Sequence, residues 1–376
     1  MTSPPWPNDG IGSSAAGVLS GGPDPASAAS DFLIYDRLEI GDPATPFILP
    51  DAGGTQWSPL DNDIAGKPVL LLFLADGGAE QAIADLAPLI AARDELRHGG
   101  CGVFVLSRAA AGAAVSAALP TTADGKPIFP LLTDAKGEAF RAYGLTATKR
   151  SVAILLSHNM KIASISCASP QDLARINTEL KRMARARPPI PLSSHPPILL
   201  IPVALSAADC AFLMQLWHRL DQEHGAAGHS EVDPKCVNFL HEYGRVKQYL
   251  VEDARLQQAL DAKLARRIMP ELSKAFDTRA PQREAYALSC YDANDGGMLQ
   301  PHRDCASQET QHRRFTVTVA LNDAYQGGAL RFREYGEQTY NLPIGTAAIF
   351  SAALLHEVLP VTTGRRFNLV THIYGK

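Results

Sequence analysis

The chain has little that would direct it to a membrane, a nucleic acid or an oxidising compartment. Its net charge is only −4, so no strong field of either sign attracts nucleic acid or anionic lipid. No apolar run approaches the ~20 residues of a membrane-spanning helix. Residues 1–30 lack the basic start and apolar segment of a secretory signal. The six cysteines form no C-x-x-C pair, which disfavours a zinc module or disulfide scaffold and predicts a cytoplasmic protein.

The first half of the chain has the pattern of an α/β domain behind a polar tail. Residues 1–31 are rich in Pro, Gly, Ser and Ala and are predicted to be a disordered tail. Over 32–187, strand-like and helix-like patterns alternate, as in α/β domains. Strands are predicted over 68–74, 101–106, 151–156 and 161–166, and helices over 79–96 and 171–186.

The second half begins with helices and ends with strands. Residues 188–200 contain five prolines and are predicted to be a stiff linker. In the domain predicted over 201–376, one helix is expected to begin after Ser206, and another, over 253–276, to be interrupted at Pro270. Strands are predicted over 283–291, 314–322, 329–334, 346–351 and 366–374. This order indicates an α+β multidomain chain whose second domain packs helices on a β-sandwich or jelly roll.

A candidate metal site lies among those strands. Two imidazoles and one carboxylate on one face of a metal leave coordination positions open, as in non-haem iron(II) oxygenases. His302, Asp304 and His356 provide this set. A His-x-carboxylate pair is weak evidence by itself, since His229-Ser-Glu231 has it too and is interpreted as a solvated turn. His302 differs because it follows a predicted strand and a glycine-rich turn.

Five stretches of the second half occur in a recognisable order: 291–304, 319–323, 327–332, 343–350 and 356–367. Through them the chain resembles the Fe(II)/2-oxoglutarate-dependent dioxygenases, on the prolyl 4-hydroxylase-like branch. With the helical region from about 200, the resemblance covers roughly half of the chain. It implies a double-stranded β-helix with Fe(II) held by His302, Asp304 and His356. Asp304 favours hydroxylation or a related oxidation, because halogenases of this superfamily leave its position to chloride.

The resemblance also implies how the co-substrate binds. The distal carboxylate of 2-oxoglutarate would pair with Arg366, whose planar fork suits a carboxylate. Arg366 is chosen over Arg365 because Gly364-x-Arg366 fits the family motif, and Arg365 faces the other side of a strand. Tyr291 matches a position whose hydroxyl assists co-substrate binding. O2 is implied as the oxidant, succinate and CO2 as products, and ascorbate as a candidate reductant.

Other residues near this site have two interpretations. Alternation places Thr316 and Thr318 on one strand face, which is expected to line a pocket; a solvated outer face is the alternative. Tyr291 and His302 are taken to follow on the same element. The last strand partly resembles nucleic-acid demethylases, but His372 replaces their second arginine, so no nucleic-acid partner is expected. His372 is interpreted as a satisfied strand histidine rather than a fourth ligand.

The first half resembles a second family. Residues 41–51, 66–74 and 130–145 resemble the peroxiredoxins of the thioredoxin fold. Peroxiredoxins place a reactive cysteine near the start of the helix after the first buried strand, but residues 75–82 contain none. Cys101 and Cys167 lie beside strands and lack a helix N-terminus that would activate a thiolate. The domain is therefore predicted to be non-catalytic, with a scaffold, protein-binding or substrate-presenting role; a vestigial role is equally open.

Two functions of different classes follow. The first is a dioxygenase that hydroxylates an unactivated C–H bond of a peptidyl or small-molecule substrate. The second is a thiol-redox or protein-binding module with a non-catalytic oxygenase-like domain. A complete metal triad, against a missing cysteine, favours the first. The substrate stays open, because the branch acts on prolyl residues, free amino acids and other small molecules. The loop 305–313 is predicted to border the mouth of the site.

Overall fold

The computed structural model describes residues 38–61, 64, 66–76, 79–98, 100–108, 115–116, 119–121, 127–145, 150–183, 194–225, 244–278 and 282–375. The predicted tail 1–31, the His229-Ser-Glu231 pair and the first part of the linker lie outside these residues. Contacts divide the chain into two compact units, which separate between Ile190 and Pro191. Within the described ranges, no helix is long and apolar enough to span a membrane.

The first unit is built on a five-stranded mixed sheet. Its strands are β1 Leu49–Pro50, β2 Gln56–Trp57, β3 Val69–Phe73, β4 Gly102–Ser107, β5 Leu131–Thr133, β6 Val152–Leu156 and β7 Ile162–Cys167, and its helices are α1 Ala79–Ala91, α2 Arg93–His98, α3 Glu138–Ala142 and α4 Pro170–Met183. The sheet order is β5-β4-β3-β6-β7, with β1 and β2 paired separately. The strands β3, β4 and β5 are parallel, and β6 and β7 are antiparallel.

The central strand explains why this unit forms. All five side chains of β3 are buried, because both faces of the sheet are covered. Leu70 and Leu72 join one apolar cluster, and Leu71 and Phe73 join the other. The predicted α/β, thioredoxin-like fold is therefore confirmed. The helix predicted over 79–96 is two consecutive helices, α1 and α2.

The second unit consists of two antiparallel sheets with helices on the larger one. Its strands are β8 Ile198–Ile201, β9 Gly244–Arg245, β10 Lys247–Leu250, β11 Gln282–Arg283, β12 Ala287–Asp292, β13 Met298–His302, β14 Arg313–Ala320, β15 Tyr325–Gly327, β16 Leu330–Arg331, β17 Thr339–Tyr340, β18 Ala347–Ser351, β19 His356–Val358 and β20 Val361–Tyr374, and its helices are α5 Ala207–Gly225, α6 Ala254–Arg267 and α7 Met269–Phe276. The larger sheet has the order β10-β12-β20-β14-β18-β8, with β11 and β15 also paired to β20, and the smaller has the order β17-β16-β19-β13-β9.

Strand alternation decides what each face of the larger sheet contacts. Phe315, Val317 and Val319 of β14 join Trp217 of α5 in the core under the helices. On the opposite face, residues of both sheets form a second core, in which the rings of Phe332 and Phe350 lie 5.0 Å apart. This confirms the predicted double-stranded β-helix with supporting helices.

The boundaries of this unit differ from the prediction at its start. Ile198–Ile201 pairs with β18, so the linker predicted to end at 200 ends before Ile198. An apolar run can add a strand to a sheet edge even when prolines precede it. Helix α5 begins after Ser206, as predicted, because the Ser206 and Asp209 side chains each accept from the other's backbone N–H. The predicted interruption near Pro270 is confirmed, since α6 ends at Arg267.

Candidate metal centre

Two neighbouring strands of the smaller sheet bring His302 and His356 together. The residues are direct partners in the antiparallel pairing of β13 and β19, so their rings leave the sheet on one face, with centroids 4.3 Å apart. Asp304 follows β13, and its carboxylate oxygens lie 3.2 Å from His302 Nε2 and 3.4 Å from His356 Nε2. One donor atom from each residue lies within 4.8 Å of the others, so the three can share one ion.

A tight turn delivers β13 to this position. Gly296 adopts a φ of +67°, which favours glycine. A Cβ on Gly297 would lie 2.6 Å from the backbone nitrogen of Asp292, so a larger residue would push the turn away from β12. The turn therefore carries the chain from β12 in the larger sheet to β13 in the smaller one. The expectation that Tyr291 and His302 share one element is wrong, because Tyr291 lies in β12 of the larger sheet and His302 ends β13 of the smaller one.

Both histidines have the same backbone support. Nδ1 of His302 lies 2.8 Å from the carbonyl oxygen of Gln300, and Nδ1 of His356 lies 3.0 Å from that of Leu354. Each carbonyl selects the tautomer with the proton on Nδ1, which leaves Nε2 as a lone-pair donor. Two imidazole nitrogens and one carboxylate oxygen fit non-haem Fe(II).

The electrostatics of the triad favour metal-binding protonation states at two of its members. Burial by itself would raise the pKa of Asp304, but the neighbouring imidazoles, His356 foremost, hold that pKa well below its usual range. Burial lowers the pKa of His356. At His302 burial also acts to lower the pKa, but the Asp304 carboxylate outweighs it and the pKa is raised. Asp304 is thus ionised and His356 neutral at pH 7, the forms that coordinate a metal.

Arg366 and Arg365 point in opposite directions from β20. Arg366 pairs with Tyr291 of β12, is only 3% exposed, and places its guanidinium carbon 5.1 Å from the Tyr291 ring centroid. Arg365 forms an exposed ion pair with Asp292 at 2.6 Å. With its amide oriented to satisfy its neighbours, the Asn368 oxygen accepts from Arg366 Nη2 at 3.2 Å. Arg366 is therefore the inward-facing arginine, beside a buried tyrosine.

Further polar residues surround Asp304. Thr316 donates from Oγ1 to Asp304 Oδ2 at 2.5 Å, which places the predicted threonine face in the interior. His372 lies between Glu284 and Asp304, with its ring nitrogens 3.4 Å and 3.6 Å from their carboxylates. Sequence reasoning left His372 as a strand histidine and missed Glu284. No local pattern marks Glu284, because its partners come from distant parts of the chain.

A contact at the surface joins the two segments that carry the triad, residues 302–304 and the residues just before His356. Arg303, between His302 and Asp304, pairs with Glu334 at 2.5 Å and also donates to the Ala353 carbonyl. Glu334 accepts from the Leu355 backbone N–H at 3.1 Å, directly before His356. Glu334 thereby ties both segments to one carboxylate.

Replacing Glu334 with glutamine is expected to weaken Fe(II) binding by a few-fold. The exposed ion pair contributes modestly, but its loss loosens both segments at once. Anaerobic Fe(II) titration of E334Q measures the change. E337Q is the matched control, because Glu337 pairs with Arg331 at 2.6 Å and contacts neither segment. If E334Q and E337Q bind Fe(II) with equal affinity, the link does not contribute to metal binding.

The thiol of Cys101 in the first unit is not activated. Burial raises the pKa of Cys101 to about 12. Before α1, where a peroxiredoxin-like cysteine would be expected, Asp76 pairs with Arg108 at 2.5 Å. A thiol in the setting of Cys101 is protonated at neutral pH and is a weak nucleophile.

Cys101 is therefore expected to resist alkylation at pH 8, since about one molecule in 10,000 carries the thiolate at four units below its pKa. Reactivity should rise as the pH approaches 12. Peptide mapping by mass spectrometry after iodoacetamide treatment measures this, with the exposed Cys167 as internal control. Labelling of Cys101 as fast as Cys167 at pH 8 would contradict the burial argument.

Comparison with known proteins adds two family matches. The model of the 2OG-Fe(II) oxygenase superfamily matches residues 286–374. The model of the AhpC/TSA family matches residues 40–165. The two matches fall in different structural units and agree with the two resemblances derived from the sequence.

Curated relatives are PKHD-type hydroxylases. One from Xanthomonas campestris pv. campestris (strain 8004) is 32% identical over 183 residues, which cover 45% of this chain and 75% of the relative. One from Synechococcus sp. (strain JA-2-3B'a(2-13)) is 28% identical over 130 residues, 33% of this chain. The chain spans 55% of the length of that Synechococcus relative.

Solved structures resemble each unit separately. A Pseudomonas putida prolyl-4-hydroxylase, 17% identical, covers 48% of this chain and 92% of its own, with a TM-score of 0.35. The peroxidoxin BcpB from Mycobacterium tuberculosis, 17% identical, covers 40% of this chain and 100% of its own, with a TM-score of 0.33.

Proposed function

Because the chain belongs to the 2OG-Fe(II) oxygenases through its C-terminal unit, we propose that it is an Fe(II)- and 2-oxoglutarate-dependent hydroxylase. The observation that carries this proposal is the meeting of His302, Asp304 and His356 in a barrel that also buries Arg366. Those four residues, with Tyr291, are the proposed site. The reaction would hydroxylate an unactivated C–H bond and release succinate and CO2.

The roles of the residues follow from their positions. His302, Asp304 and His356 would hold Fe(II), which when bound supplies the coupled decarboxylation of 2-oxoglutarate and oxidation of the substrate by O2. Arg366 would hold the distal carboxylate of 2-oxoglutarate with two parallel hydrogen bonds. Tyr291 and Asn368 keep the guanidinium in place. Three protein donors on one side leave the other side of the ion for co-substrate and oxidant.

We also propose a class of substrate, a role for the first unit and a cellular location. A peptidyl or small-molecule substrate fits a site bordered by the loop 305–313, most of whose residues are exposed. The redoxin-like domain, proposed over 32–187, would bind a protein partner or present substrate. The oxygenase domain would begin at Ile198 rather than at 201. All five described cysteines are free, which supports the proposed cytoplasmic location. Ascorbate remains a candidate reductant.

One assay tests the proposed function. Purified full-length protein, incubated with Fe(II), 2-oxoglutarate and O2, is expected to release succinate, and omission of any one of the three should stop the release. Uncoupled turnover makes this readout independent of the unknown substrate. Anaerobic titration with Fe(II) should show one bound ion per chain. A protein that binds no Fe(II) and releases no succinate, even with peptide and amino-acid candidates present, would exclude the proposal.

A further inference from the structure

The Asp304 carboxylate is contacted by the larger sheet as well as by the two histidines of the triad. Thr316 of β14 and His372 of β20 are direct partners in the antiparallel pairing of those strands. Their side chains therefore leave the sheet side by side on one face. Both reach the same atom: Thr316 Oγ1 is 2.5 Å and His372 Nε2 is 3.6 Å from Asp304 Oδ2.

The other edge of the His372 ring is anchored as well. Its Nδ1 lies 3.4 Å from Glu284 Oε2. Glu284 accepts two bonds from the Arg313 guanidinium, at 2.7 Å and 2.8 Å. Arg313 in turn donates to the backbone carbonyl of Asp304 at 3.2 Å. The contacts thus form a closed loop. It runs from the Asp304 carboxylate through His372, Glu284 and Arg313 to the backbone carbonyl of Asp304.

The charges in this loop support a fixed geometry. Burial would raise the pKa of Glu284, but His372 and Arg313 lower it to about 2, so the residue is an anion at neutral pH. A bidentate bond between an arginine and a carboxylate holds both side chains in one relative orientation. Glu284 can therefore serve as a rigid support for the imidazole of His372, which has only 15% of its side chain exposed.

A purely structural role would not require this arrangement. The backbone of β20 is already paired on both sides, with β12 and β11 on one side and β14 on the other, so the strand does not depend on the His372 ring for its place in the sheet. The contact with Glu284 alone would already give one ring nitrogen of His372 a polar partner. The second contact, to a carboxylate of the triad, connects the loop to the metal centre.

We propose that His372 is a positioning residue which, supported by Glu284 and Arg313, holds the Asp304 carboxylate towards His302 and His356. This inference rests on the proposed function, since it presupposes that Asp304 ligates a metal. Groups that orient metal ligands from behind typically contribute about 10- to 100-fold in metal affinity. His372 itself stays outside the coordination sphere.

The test uses Co(II) in place of Fe(II), because cobalt binds similar nitrogen and oxygen sites and its visible absorption reports the ligand geometry. Full-length wild type, H372F, H372Q and E284Q are titrated with Co(II) without O2, and the unfolding temperature of each metal-free protein is measured. H372F removes both ring nitrogens, H372Q keeps one polar group, and E284Q removes the charge of the support. The control H312Q makes the same change as H372Q at a second histidine that contacts Glu284, at 2.9 Å, and that takes no part in the path of contacts back to Asp304.

The expected result is a 10- to 100-fold weaker affinity of H372F for Co(II), with an altered absorption spectrum and an unfolding temperature close to wild type. H372Q should recover part of the affinity, E284Q should lie between H372F and wild type, and H312Q should match wild type. A wild-type affinity and spectrum in H372F would overturn the proposal, as would losses that follow the unfolding temperature in all four variants.

Two further outcomes are also decisive. If H372F does not fold, the Co(II) affinities and spectra of H372Q and E284Q become the test. Wild-type values in both variants would overturn the positioning role. If wild type itself binds neither Co(II) nor Fe(II), the proposed function fails and the positioning role fails with it. A failure of the inference alone is recognised by a wild type that binds the metal and variants that bind it equally well.

Discussion

Replacing His302 with alanine is expected to reduce succinate release by at least about 100-fold, because it removes one of three protein donors. Loss of groups that only orient ligands already costs about 10- to 100-fold in affinity or activity. The remaining pair, Asp304 and His356, would hold Fe(II) weakly and in the wrong geometry. Initial rates of succinate formation and the bound iron after anaerobic desalting measure the effect.

The matched control for this variant is H158A. His158 is an exposed histidine on the turn between β6 and β7, away from the triad residues in sequence and in a different structural unit. Its replacement should leave iron content and rate unchanged. If H302A keeps the iron content and the rate of wild type, His302 is not a ligand and the assignment of the centre is wrong.

The second large effect is expected at Arg366. R366Q should raise the KM for 2-oxoglutarate by about 10- to 100-fold, since hydrogen bonds to a charged group contribute more than neutral ones and two are lost together. A co-substrate analogue without the distal carboxylate should bind wild type and R366Q with similar affinity. Anaerobic calorimetric titration of 2-oxoglutarate into the Co(II)-loaded protein separates binding from turnover.

Arg365 provides a control one residue away. It extends from the opposite face of β20 to Asp292, and 46% of its side chain is exposed. R365Q carries the same chemical change without altering the pocket, so its KM should match that of wild type. Equal shifts in R365Q and R366Q would mean that general disturbance of β20, rather than a carboxylate contact, explains the result.

Much of the site could be predicted because its signals are local. A strand, a glycine-rich turn and a His-x-Asp follow one another within a short segment, and strand alternation separates Arg366 from Arg365. The same alternation places His372 on the face of Arg366. Alternation does not predict that the His372 ring faces Asp304, because Asp304 follows a strand of the other sheet. The distance between the two side chains depends on how the two sheets pack.

The boundaries show the same division between local and distant information. Five prolines before Ile198 favour a linker, and only pairing with β18 shows that the last residues of the predicted linker form a strand. Helix α5 was predicted at its start because a cap is a local signal. The short strands β9 and β10 had no local signal strong enough to predict them.

By itself the sequence predicted the donor set and the arginine that suits a co-substrate, and it shows no cysteine in residues 75–82, after the first buried strand of the redoxin-like domain. These depend on residue type and spacing, which a chain carries whether or not it is folded. Tertiary structure alone decided that His302 and His356 are direct strand partners, and that Glu284, Arg313 and His372 close a loop on Asp304. Such contacts join residues far apart in the chain, and the register and packing of two sheets, rather than any local pattern, set their distances.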